Sequence, residues 1–103
     1  DLPLDRPGRL KSARSSFHLY VIRLHDETRH RAVFHALHAY GVGVNLHYIP
    51  VHLQPYYRAL GFAVGDFPVA EAYYKRAISI PLYSGLTDAD QYRVVDSFRK
   101  ALG

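Results

Sequence analysis

The sequence predicts a small α+β domain: an antiparallel or mixed sheet of about three strands with helices packed on one face. Three observations lead there. Apolar spacing switches repeatedly between period two and the helical period along the chain. Glycines and prolines fall where the spacing switches. The resulting order, β-α-β-α-α-β-α, has too few helices to cover both faces of a sheet, so the second face is expected to meet solvent or another domain.

Residues 1–16, "DLPLDRPGRLKSARSS", are rich in Pro, Gly, Arg and Ser, and are expected to be a linker. The folded part then spans residues 17–103. "FHLYVIRL" (17–24) is β-branched and aromatic on both faces, as expected of a largely buried strand. "DETRHRAVFHALHAYG" (26–41) turns helical, with Val33, Phe34, Leu37 and Tyr40 as its stripe. Asp26 or Thr28 suits its start, and Gly41 sits where a C′ glycine belongs. "VGVNLHY" (42–48) returns to period two, with Val42, Val44, Leu46 and Tyr48 on one face and Gly43, Asn45 and His47 on the other. Pro50 ends that strand by removing a ladder donor.

Short helices follow at 54–61, with Pro55 at its first position, and at 68–76, beginning at Pro68. "AISIPL" (77–82) reads as the third strand. "TDADQYRVVDSFRKALG" (87–103) is the clearest helix: Thr87 and Asp90 make an acidic capping box, and Tyr92, Val95, Phe98 and Leu102 supply its apolar face.

Composition narrows the function. The chain has 103 residues, 49% of them hydrophobic, which suits one domain with its own core. No apolar run approaches the roughly 20 residues that span a bilayer, and the N-terminus has no signal-peptide pattern. A cytoplasmic protein without membrane partners is expected. Cysteine is absent, which excludes disulfides and thiol chemistry. Methionine is also absent, so the chain is expected to be part of a longer one. Half of the net charge of +4 lies in the first fourteen residues. The nearly balanced body lacks the basic stripe of a nucleic-acid module.

The segment "VNLHYIPVHLQPYYRALGF" (44–62) concentrates hydrogen-bonding side chains around Pro50 and Pro55. Asn45 and His47 project from the face opposite the core, and Tyr48, His52 and Gln54 follow at the strand end, before a helix start. Such connections are common places for polar ligands. An aromatic and imidazole cluster suits a sugar or nucleotide; a polar loop bonded to its own backbone is the alternative. Among the seven histidines, His35 and His38 share a solvated helix face with Arg31, and His30 falls at the edge of the apolar stripe. His47 and His52 lack a third ligand at zinc spacing, so no metal is expected. Lys11, Lys75 and Lys100 fall in no apolar pocket that would lower a pKa, and no glycine-rich turn cradles phosphate. No catalytic residue is expected in this chain.

The stretches "FHLYVIRL", "GVGVNLHYIPVHLQPYYRALGF", "GDFPVAEAYYKRAISIPLY" and "LTDADQYRVV", in that order, resemble the C-terminal domain of the DegT/DnrJ/EryC1/StrS sugar aminotransferases, over residues 17–98. The wording is most similar to the pseudaminic acid branch, the UDP-4-amino-4,6-dideoxy-N-acetyl-β-L-altrosamine transaminases. The resemblance implies a small domain of a fold type I enzyme whose pyridoxal phosphate is bound mainly by a large N-terminal domain absent here. It implies transfer of an amino group, usually from L-glutamate, to a UDP-linked 4-keto-6-deoxy sugar, and a homodimeric enzyme. Tyr48, His52 and Gln54 match the family's Y-x-P-x-H-x-Q turn and become the leading substrate-side candidates, with Asn45 and His47 behind them. The competing reading is a stand-alone basic α+β module that binds nucleic acid or protein.

Overall fold

The computed structural model describes residues Asp1–Gly103. Its strands are β1 (Leu4–Asp5), β2 (Tyr20–Leu24) and β3 (Ala77–Ile80). Its helices are α1 (His30–Ala39), α2 (Pro55–Ala59), α3 (Pro68–Tyr74) and α4 (Asp88–Leu102), with 3₁₀ turns at Glu27–Arg29 and Val51–Leu53. The sheet is antiparallel throughout, in the order β1-β2-β3. The α+β class and the three-stranded sheet are as expected, but one strand is not.

Leu4–Asp5 lies inside the stretch expected to be linker. It pairs with Arg23 and Leu24 of β2, and Leu2 and Leu4 pack on the core. A two-residue apolar alternation, Leu2 and Leu4 around Pro3, is too short to stand out in a polar segment, yet it covers the outer edge of β2. The Asp5 carboxylate also meets the Arg23 guanidinium at 3.3 Å and the His25 ring at 3.0 Å.

The segment 42–48, expected as a strand, makes a single bridge. Asn45 and Ser79 exchange two backbone hydrogen bonds, of 3.1 and 2.9 Å. Extension of that ladder is blocked on both sides. The next partner in one direction would be Pro81, which has no N–H to give. In the other, the carbonyl of Ala77 already pairs with His30 Nε2 at 2.9 Å.

Residues of β2 and β3 alternate as period two requires. Ile22, Leu24 and Ile78 face a core completed by Val42, Val44, Val33, Leu37, Val94, Phe98 and Leu102. Helices α1 and α4 pack against each other on this face. Their stripes are shifted from the expected ones: α4 buries Val94, Phe98 and Leu102, an i, i+4, i+8 row, and leaves Tyr92 exposed. Tyr40, which caps the end of α1, is likewise outside, because Gly41 turns the chain away at φ +76°. There the N–H of Val42 bonds the carbonyl of Leu37 at 2.9 Å, closing a Schellman-type end. At the other end of the pair, Arg29 donates to the carbonyls of Leu102 (2.6 Å) and Ala101 (3.2 Å), placing a cation at the α4 C-terminus. The Thr87–Asp90 capping box forms as expected.

The domain is loose for its length. Its radius of gyration is 15.4 Å, against about 13 Å for a compact chain of 100 residues. Ten of the 19 exposed large apolar side chains lie between Tyr48 and Val69.

Leu37 has no exposed surface. We expect Leu37→Ala to cost about 2–5 kcal/mol, from lost transfer energy and the cavity left behind. The exposed Leu10, truncated in the same way, should change stability by less than about 0.5 kcal/mol. Urea unfolding of both variants checks this.

Candidate functional site

Asn45 and His47 lie on the sheet face opposite the core, as the period predicts. The bridge holds Asn45 level with Ser79, and His47 Nδ1 sits 2.8 Å from Ser79 Oγ. The Ser79 side chain therefore orients the imidazole of His47, which stays half-buried. The Tyr48 ring meets the His47 ring edge-on at 4.6 Å. Tyr48 was expected to continue the core row with Val42 and Val44. Instead it is 72% exposed, because the chain leaves the sheet after the single bridge and cannot keep its alternation.

Tyr48 opens one wall of a cleft of about 780 Å³. Residues Tyr48–Val51 form that wall; Asp66–Ala70 and Tyr73 form the other. The lining is mostly apolar, with Tyr48, Asp66 and Tyr73 offering polar atoms. Gln54 turns back toward this wall and donates to the carbonyl of Ile49 at 3.4 Å. A chain of aromatic contacts continues from the cleft: His52 with Phe67 at 4.8 Å, Phe67 with Phe62 at 6.1 Å, and Phe62 with Tyr57 at 6.2 Å.

His52 does not stand in the open. Its side chain is 7% exposed, and its Nε2 lies 2.8 Å from Glu71 Oε1. The same oxygen accepts the N–H of Gly65 at 2.8 Å. Hydrogen bonds from His52 and then from the Gly65 backbone hold the Glu71 carboxyl below its ordinary pKa. The carboxylate is thus ionised near neutrality, and the proton in the contact resides on His52 Nε2.

The structure therefore separates the five residues singled out by sequence. Asn45, His47 and Tyr48 are adjacent on the outer face and cleft edge. Gln54 braces the turn, and His52 is inside it. Glu71 and Ser79 escaped sequence reasoning. Glu71 had one signal, a lone carboxylate between Asp66 and Asp88 in the apolar run "FPVAEAYY". Ser79 had none, since its role depends on a partner 32 residues away.

None of the three lysines occupies a sheltered pocket. Lys100 binds Asp96 at 2.8 Å, which raises its pKa, and Lys75 approaches Glu27 at 3.9 Å. Lys11 is exposed. His35 and His38 are exposed on α1, where both rings meet Phe34 edge-on. No helix is long and apolar enough to cross a membrane.

The depressed Glu71 pKa carries a sign. A carboxyl whose folded pKa lies below its ordinary value of 4.5 stabilises the fold above that value. That contribution is lost as pH falls through the folded pKa. The melting-temperature gap between the native chain and Glu71→Gln should be widest near neutrality and shrink below about pH 4.5. Asp26, Asp90 and Asp96, also held low by their partners, are common to both proteins and cancel. A gap independent of pH would show that the charge on Glu71 is irrelevant.

Comparison with known proteins places this geometry. The model of the DegT/DnrJ/EryC1/StrS aminotransferase family matches residues 2–99. The spore coat polysaccharide biosynthesis protein SpsC of Bacillus subtilis is 37% identical over 91 residues, covering 84% of this chain and 23% of SpsC. Among solved structures, the aminotransferase TlmJ of Streptoalloteichus hindustanus superposes with a TM-score of 0.84 at 29% identity, over 97% of this chain and 26% of that one. Helicobacter pylori PseC, an aminotransferase involved in the biosynthesis of pseudoaminic acid, gives 0.78 at 29% identity, over 85% and 24%. The chain spans about a quarter of the length of these relatives. With the family model covering nearly every residue, this chain belongs to the DegT/DnrJ/EryC1/StrS aminotransferase family.

Proposed function

We propose that the chain is the substrate-side, C-terminal domain of a pyridoxal-phosphate-dependent nucleotide-sugar aminotransferase. The observation that carries this reading is the polar row Asn45–His47–Ser79 on the sheet face opposite the core, continuous through Tyr48 with an open cleft. Hydroxyl-rich ligands need fixed donors and acceptors beside an apolar or aromatic surface, and this arrangement supplies both. The substrate in this reading is a UDP-linked 4-keto-6-deoxy sugar and the amino donor is L-glutamate. The likeness to PseC favours the pseudaminic acid branch.

The residues present do not fit the covalent anchor of the cofactor. A lysine that bonds pyridoxal phosphate must shed its proton in a desolvated site, whereas all three lysines here are exposed and Lys100 is held protonated by Asp96. We assign cofactor binding to a large domain outside these residues. This chain's contribution is to bind and orient. His47, held by Ser79, and Asn45 offer hydrogen bonds to sugar hydroxyls. Tyr48 offers a flat apolar surface with a phenol at its edge, and the turn braced by Gln54 and His52 keeps Tyr48 in place.

The exposed apolar side chains of the 48–69 segment support the same reading. Tyr48, Val51, Tyr56, Leu60, Val64 and Val69 are each more than 60% exposed. A run of that density suits burial against further protein, here the large domain and the second subunit of a homodimer.

Two outcomes follow. The 103-residue chain supplied with pyridoxal phosphate, L-glutamate and the keto sugar should transfer no amine; turnover would mean that the catalytic machinery had been misplaced. In the longer protein, His47→Ala should lower kcat/KM for the keto sugar about tenfold, equivalent to about 1.4 kcal/mol. The half-reaction with the amino donor should stay within about twofold. Equal loss in both half-reactions would remove His47 from the substrate side.

A further inference from the structure

The two walls of the cleft meet at one atom. Oε1 of Glu71 takes a hydrogen bond from His52 Nε2 and another from the Gly65 N–H, both at 2.8 Å. His52 follows directly on the Tyr48–Val51 wall, and Gly65 directly precedes the wall that begins at Asp66. Glu71 itself belongs to α3, which carries the rest of the second wall. All three groups are tightly constrained where they meet. The His52 and Glu71 side chains are 7% and 10% exposed. Gly65 adopts φ +97°, a conformation that a residue with a Cβ rarely accepts. A buried carboxylate with two charge-assisted hydrogen bonds is a stiff junction, since losing either bond leaves a desolvated charge without its partner.

We propose that Glu71 is a positioning residue: its carboxylate sets the separation of the cleft walls and thereby the placement of Tyr48 against the sugar nucleotide. The second half of this statement rests on the function proposed above; the first does not. Glu71 does not line the cleft, so it acts through His52 and Gly65 and needs no contact with the ligand. Its oxygen is the essential part. A glutamine preserves an acceptor at the same reach, while an alanine removes it and lets the walls move independently.

The absence of cysteine permits a direct measurement. Val51→Cys and Val69→Cys place one label on each wall, at positions 64% and 84% exposed. Paired spin labels there should give a narrow distance distribution in the otherwise native chain. The distribution should broaden in Glu71→Ala and be largely restored in Glu71→Gln. His52→Leu keeps a bulky buried side chain without the donor, so it should broaden the distribution too and serves if Glu71→Ala does not fold. Unchanged distributions in Glu71→Ala, or in His52→Leu where it stands in, would overturn the proposal.

In the longer protein, Glu71→Ala should raise KM for the keto sugar about tenfold while kcat stays within about twofold, with recovery in Glu71→Gln. A purely structural role would instead depress both half-reactions together without a KM-specific effect. If the native enzyme does not accept the keto sugar, the functional reading fails, and the label distances still decide whether Glu71 sets the cleft. If the distances respond and KM for an accepted keto sugar does not, Glu71 shapes the cleft without positioning substrate.

Discussion

Strand β3 is hydrogen-bonded along both edges, and the domain is organised around that fact. One edge pairs with β2 across Tyr20–Arg23, and the other holds Asn45. Because side chains alternate, the same four residues serve two purposes. Ile78 and Ile80 turn toward α1 and α4, while Ala77 and Ser79 turn toward the polar face. The carbonyl of Ala77 takes the ring of His30, and the hydroxyl of Ser79 takes the ring of His47. A shift of one residue in the β2–β3 register would exchange these roles. It would bury a serine in the core and leave His47 without its partner.

Stability and the proposed function are therefore drawn from opposite sides of one sheet. The core side is closed by two long helices whose ends are satisfied by Gly41, Arg29 and the Thr87–Asp90 box. The other side carries the polar row, with Asn45 exposed, His47 half-buried and Ser79 buried, and the segment from Tyr48 to Val69 extends beyond it with little support of its own. Within that segment regular structure is short, and a buried carboxylate hydrogen-bonded to His52 and the Gly65 N–H stands where a hydrophobic core would be. A buried carboxylate is costly to desolvate, so it holds the donors that satisfy it in place. That is a suitable means of holding a cleft whose walls come from loops.

The expectation that His52 would reach a ligand directly rested on its place between Pro50 and Pro55. The chain does turn there, yet the imidazole enters the turn to meet a carboxylate from α3. Any substrate role for His52 consistent with this geometry runs through the residues it holds. His47 was ranked lower and emerges with the better-defined position, because a serine on the neighbouring strand orients it. Both outcomes follow from partners that lie 19 and 32 residues away, beyond the reach of local pattern.

The sequence by itself determined the features that depend on neighbours within a few positions. These include the α+β class, the end of α1 at Gly41, the capping box of α4 and the ordered motifs that mark the family. Local sterics and periodicity govern each of them. Only the tertiary structure decided how Leu4–Asp5 completes the sheet, why 42–48 makes one bridge, which stripe of α4 is buried, and where His52 points. In each case several local arrangements satisfy the backbone equally well. The choice among them is made by a distant partner: the free edge of β2, Pro81 and His30 beside β3, the packed face of α1, and the carboxylate of Glu71.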